Sequence, residues 1–242
     1  MNDAQQSIAG FLDKWQARWP EWAIASVFVP QAQRELAAAW FALRNELADA
    51  AWTGQDPRPG EAKLAWWSEE LQGWEQGRRR HPLGIVLQRH AVPWTSLAAS
   101  LPALLGSRER ASDAHEAIDV LEPFAEGVAG ISASLFTGAS TPAPARSVVV
   151  GLLAERVLVG GDAAVPLHVL AASERQAPQA AARAWARELL ERWPPPHEGA
   201  IPGRIHAAMV RERLRSHVAG ADPARPLRGW RALLTAWRAA RA

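Results

Sequence analysis

Glu46 and Asp49 are the acidic side chains whose spacing best suits a metal ion. They stand three residues apart in Asn45-Glu-Leu-Ala-Asp49, and positions three or four apart share one face of a helix. Both carboxylates could therefore reach one hard cation such as Mg²⁺, with water and ligand oxygens completing its shell. Arg44 adjoins them. The next acidic residues of interest, Glu155 and Asp162, are seven apart, about 10.5 Å of helical rise, too far for a single ion. His115 and Asp119 form an i, i+4 pair, but zinc needs further ligands, so an exposed polar pair is the reading. The sequence contains no P-loop, dinucleotide fingerprint or nucleophile triad. It also has no cysteine, which excludes disulfides and thiolate metal sites.

The elements that must carry these residues are helical. Across residues 30–52, Leu36, Trp40, Leu43 and Leu47 recur at three- and four-residue steps and form one apolar stripe. Gly54-Gln-Asp-Pro-Arg-Pro-Gly60 ends that stretch, since prolines and glycines do not continue a helix. A second helix over 61–76 places Leu64, Trp67, Leu71 and Trp74 together, and the short turn between the two predicts antiparallel packing. Further helices are predicted over 83–90, 94–105, 112–136, 145–159, 167–174, 178–193, 202–218 and 226–240. Asp113 stands near the start of the long one, where a carboxylate suits the helix dipole. Loops are expected at 137–144 and at the Pro194-Pro-Pro196 break. No stretch shows sustained strand alternation, so the chain reads as one all-α domain over residues 1–242.

Composition narrows the function classes. Among 27 basic residues only Lys14 and Lys63 are lysine. Residues 175–242 hold 13 Arg against 5 acidic residues, whereas residues 1–174 hold 14 basic against 20 acidic. A basic C-terminal third could face an anionic membrane surface, an acidic protein partner or nucleic acid. Most of the 13 Trp lie in the acidic part, so a base-stacking stripe is disfavoured. They read as packing residues whose indole N–H groups each find a partner. No basic n-region with an apolar h-region opens the chain, and no apolar run approaches about 20 residues. A cytoplasmic protein, peripheral at a membrane, is the expectation.

Two neighbouring segments resemble a known family. Ala25-Ser-Val-Phe-Val-Pro-Gln-Ala-Gln-Arg34 leads into the helix with Asn45-Glu-Leu-Ala-Asp49, and Gly60-Glu-Ala-Lys-Leu-Ala-Trp-Trp-Ser-Glu-Glu-Leu71 is followed by His81-Pro82. Together they are similar to the front half of the squalene/phytoene synthases. Phe124-Ala-Glu-Gly-Val-Ala-Gly130 and Val165-Pro166-Leu167 resemble later family stretches. The resemblance implies an isoprenoid (terpenoid) synthase-like helical bundle around a central cavity, with Ser26, Arg34 and Arg44 binding a prenyl diphosphate. In that family two helices face each other across the cavity, each presenting two aspartates four residues apart. Their Mg²⁺ ions neutralise the departing diphosphate. Here neither pair is complete. Glu46 and Asp49 are what remains of the first, and only the separated Glu155 and Asp162 stand in the region of the second.

The resemblance thus implies a pseudoenzyme of isoprenoid biosynthesis that acts by binding a partner or a prenyl lipid and needs no cofactor. The alternative is an active Mg²⁺-dependent transferase condensing two prenyl diphosphates. The small residues of the segment 125–133 predict that the apolar cavity persists.

Overall fold

The computed structural model describes residues 3–136, 143–173, 179–194 and 199–242, with side chains from Ile8 onward. All regular elements among the described residues are helices. Helix α1 (Asp3–Arg18) was not among the expected helices, although Ile8, Phe11, Leu12 and Trp15 follow helical spacing. After the short α2 (Trp22–Ala25) come two 3-10 turns, Ser26–Phe28 and Gln31–Gln33.

Helices α3 (Arg34–Trp52) and α4 (Arg58–Glu75) correspond to the two predicted first. They pack together as the short turn required, and they approach so closely that a Cβ on Gly60 would lie 2.2 Å from the Ala50 carbonyl oxygen. The helix expected over 83–90 shortens to α5 (Gly84–Leu87). Then follow α6 (Trp94–Gly106), α7 (Ala114–Leu135), α8 (Ala145–Gly160), α9 (Leu167–Ser173), α10 (Ala180–Glu191), α11 (Ile201–Val218) and α12 (Gly229–Arg241). Asp113, expected within the first turn, instead stands just before α7 and caps it, accepting from the backbone N–H of His115 at 2.8 Å and of Glu116 at 3.0 Å. Of the loop expected at 137–144 and the break at 194–196, only residues 143, 144 and 194 are described.

The helices pack in a chain of neighbours. Helix α4 packs on α6, α6 on α7, α7 on α8, α8 on α11, α11 on α12, and α12 back on α2, while α1 lies against α3. One apolar cluster runs through all of these, from Ile8 to Ala239. Trp15, Trp19, Trp40, Trp67, Trp74, Trp94 and Trp185 are fully buried in it. The expected indole partners are only half realised. Trp40 donates to Ser132, Trp52 to Ser107 and Trp74 to Glu70, whereas the indoles of Trp67, Trp94 and Trp185 have no acceptor among the described residues. Aromatic edge-to-face contacts surround two of these, with Trp67 meeting Trp66 and Trp74, and Trp94 meeting Trp74.

Candidate functional site

Helix α3 turns Glu46 and Asp49 toward α1 and α4, where they are 4% and 9% exposed. Lys14 of α1 bridges the two, with its Nζ 2.6 Å from Glu46 Oε1 and 2.8 Å from Asp49 Oδ2. Lys63 of α4 reaches Glu46 Oε2 at 2.7 Å. Arg18 donates to Asp49 Oδ1 at 2.8 Å and to Asn45 Oδ1 at 2.6 Å. Every oxygen of the two carboxylates therefore has a protein cation, and both lysines of the chain converge on Glu46. Burial alone would raise the pKa of each acid. For Glu46, Lys14 and Lys63 outweigh it, and for Asp49, Lys14 and Arg18 do so, which holds both below the usual carboxylate range. The burial of Lys14 is likewise outweighed by Asp49 and Glu46, so its ammonium is held above its ordinary range. A divalent ion at this pair would have to displace Lys14 and tolerate Arg18 and Lys63.

Arg44 points elsewhere, into a cavity of about 350 Å³ bounded by α3, α7, α8, α11 and α12. Val128, Ala129, Ser132 and Ala133 of α7, Gly151 of α8, and Gly203 and Ala207 of α11 line it. These mostly small side chains cannot reach across the gap between the helices. The segment expected to keep a cavity open thus borders one. On the α3 side, Arg44 Nη2 lies 3.2 Å from Glu155 Oε1 of α8, and His206 Nδ1 is 3.7 Å from the same oxygen. Burial lifts the Glu155 carboxyl above the usual range, against the pull of Arg44 and Arg18. Burial, reinforced by Arg44 and Arg213, pushes His206 well below its ordinary pKa, so its imidazole is neutral. It stacks on Phe41 with ring centroids 4.6 Å apart.

The cavity wall contains three polar atoms with no partner among the described residues: Arg44 Nε, His206 Nε2 and Arg211 Nε. Buried polar groups are ordinarily hydrogen-bonded, so the wall offers unmet polar atoms to the polar head of an otherwise apolar molecule. Arg215 and Arg238 add positive charge elsewhere in the lining. Glu155 also lines a separate space of about 80 Å³, shared with Arg18, Asn45 and Asp49. An Arg44–Glu155 ion pair links α3 to α8.

No family model matches this chain, and no curated protein matches it either. No described helix is long and apolar enough to cross a membrane. Among the described residues, no group of three or more His, Cys, Asp or Glu side chains is arranged to hold a metal ion.

The other candidate residues have local partners. Ser26 follows α2 and donates from Oγ to the Ala23 carbonyl at 3.4 Å. Arg34 opens α3 and donates to the carbonyls of Val29 and Val27, each at 3.0 Å, bracing the chain's entry into the helix. Neither lines the cavity. Asp162 accepts from the Ala182 N–H at 3.0 Å, serving the start of α10. His115 and Asp119 form an exposed pair at 2.6 Å, as their spacing indicated.

The site residues missed from the sequence include Lys14, Arg18 and His206, and also Lys63 and Arg211. The first two were legible in principle, because the Ile8, Phe11, Leu12, Trp15 stripe announces α1 and puts Lys14 and Arg18 four apart on one face. For His206 the sequence offers no signal, since its significance lies in α3 and α8 side chains distant in the chain.

Proposed function

We propose that this protein is a squalene/phytoene synthase-like helical bundle that binds an isoprenoid lipid without ionising it. The observation that carries the reading is the double use of α3. On one face, Lys14, Arg18 and Lys63 saturate the carboxylates that a metal would need, and on another, Arg44 and Phe41 line a ligand-sized, mainly apolar cavity. Leaving-group departure from an allylic diphosphate requires several positive charges positioned around it. Mg²⁺ is the means by which the family supplies them, and here a divalent ion would compete with three built-in cations. Arginines can still hold a diphosphate by paired hydrogen bonds, so metal-independent binding is the activity that remains.

Farnesyl diphosphate and geranylgeranyl diphosphate, titrated with and without Mg²⁺ and followed by fluorescence of Trp40 and Trp193 at the cavity wall, test this. Binding is expected in both conditions, without diphosphate release. Gly151→Leu should fill the cavity and abolish binding while leaving the helical content intact. Mg²⁺-dependent squalene or phytoene formation that is abolished by Asp49→Ala would overturn the reading in favour of the active transferase.

A further inference from the structure

Helix α12 packs its small residues inward and its large ones outward. Ala232, Ala236 and Ala239 are 0%, 0% and 5% exposed, and they lie on the side that meets α11 and α2. Trp230, Leu233, Leu234 and Trp237 are 59%, 46%, 36% and 41% exposed. At 100° per residue these four fall within about one third of the helix circumference. A helix serving only the core would show the reverse, with its large apolar side chains buried. The patch continues off the helix. Ile24 and Val27, on the adjoining α2 and 3-10 segment, are also exposed, and Ile24 Cδ1 approaches within 3.4 Å of where a Cβ on Gly229 would stand.

The charge that α12 itself carries is of one sign. From Pro223 to Ala242 the sequence has five arginines and no acidic residue. The Arg231 guanidinium lies 5.3 Å from the Trp230 ring, and that of Arg241 lies 4.9 Å from the Trp237 ring. An exposed apolar stripe flanked by arginine is the pattern of a helix lying in a bilayer interface. In that setting tryptophan sits at the headgroup level and arginine reaches outward to phosphate. A second copy of the chain fits less well, because pairing two α12 faces would bring Arg231, Arg238 and Arg241 against their own counterparts with no carboxylate between them.

We propose that the outer face of α12, extended by Ile24 and Val27, docks this protein onto an anionic lipid surface. The docking does not depend on what occupies the cavity. The two are nevertheless adjacent, since Thr235, Arg238 and Ala239 of the same helix line the cavity wall.

Co-sedimentation with vesicles of phosphatidylcholine alone, and of phosphatidylcholine mixed with phosphatidylglycerol, tests the proposal on the full chain. Wild type should sediment with the anionic vesicles, and the binding should weaken as salt rises. Trp230→Ser with Trp237→Ser should weaken it about tenfold or more, and Arg231→Gln with Arg241→Gln by about fivefold for each Arg removed. All four positions are exposed, so circular dichroism and the Tm should match wild type in both variants. Failure of wild type to bind anionic vesicles, or unchanged affinity in the Trp variant, would overturn the proposal. So would a concentration-dependent dimer in light scattering that the Trp variant abolishes while vesicle binding persists, which would assign the face to a second copy.

Discussion

Lysine is rare in this chain, and where it occurs it does what arginine would do less well. Lys14 places one compact ammonium between two carboxylates, 2.6 and 2.8 Å away, whereas the planar guanidinium fork suits a single carboxylate bound through two bonds. That second geometry appears at Glu21 and Arg213. Arg213 Nε and Nη2 each donate at 2.6 Å to the two oxygens of Glu21, both residues are at most 5% exposed, and Leu227 N–H adds a further bond to Glu21 at 2.7 Å. Breaking such a pair leaves a buried charge uncompensated. Arg213→Met should therefore lower unfolding free energy by about 3–5 kcal/mol in urea denaturation. Changing Glu21→Leu in the same chain should restore much of that loss. A loss below about 1 kcal/mol, the scale of exposed pairs, would mean that water reaches Glu21 and that the pair does not anchor α2 to α11.

At the scale of helices, contact between α3 and α4 rests on the absence of a side chain at Gly60. Adding a methyl would force it into the Ala50 carbonyl oxygen at 2.2 Å, and backbone cannot rotate away as a side chain can. Gly60→Ala should cost about 1–3 kcal/mol despite the better helix propensity of alanine, and should lower the Tm by about 2–4 °C per kcal/mol. An unchanged or raised Tm would show that the two helices separate freely.

Helix α3 and its packing on α4 were legible because Leu36, Trp40, Leu43 and Leu47 mark a stripe and Gly54 to Gly60 mark a stop. What local spacing could not reveal was the partner of each polar residue. Glu46 and Asp49 share a face three residues apart, which is equally the signature of a metal pair and of an ion-pair cluster. The choice is made by Lys14, 32 residues earlier, and by Lys63 on the next helix. Arg44 was read as a substrate contact, and it does line the cavity, but its hydrogen-bond partner Glu155 is 111 residues away. Local periodicity carries no such information.

For the molecule as a whole, burial has left several histidines neutral, while ion pairs and hydrogen bonds keep several buried carboxylates ionised against it, and the two sets impose a definite acid response. Burial pushes His81 down to about 4, against the pull of Glu46 and Glu70, and holds His206 well below its ordinary value. A histidine whose folded pKa is depressed takes up its proton more readily when the chain is unfolded. Its stabilising contribution is complete above the unfolded value near 6.5 and is lost progressively as pH falls below that value. Glu46, Asp49 and Glu70, each held below the usual range, contribute fully above the ordinary carboxylate range, and that contribution is lost as pH falls through their folded values. Stability measured by urea denaturation should accordingly be level from pH 8 to about 6.5, decline gently from there toward pH 4.5, and fall steeply below it. His206→Phe should flatten the first, gentle segment, because Phe keeps the stack on Phe41 and removes a group that must charge on unfolding. It should leave the steep segment where it was, since His206 makes no contact with Lys14, Arg18 or Lys63 that would alter the Glu46 cluster. An identical slope between pH 6.5 and 5 in the variant would mean that His206 already carries its proton in the folded protein, and that the Arg44 end of the cavity is open to water.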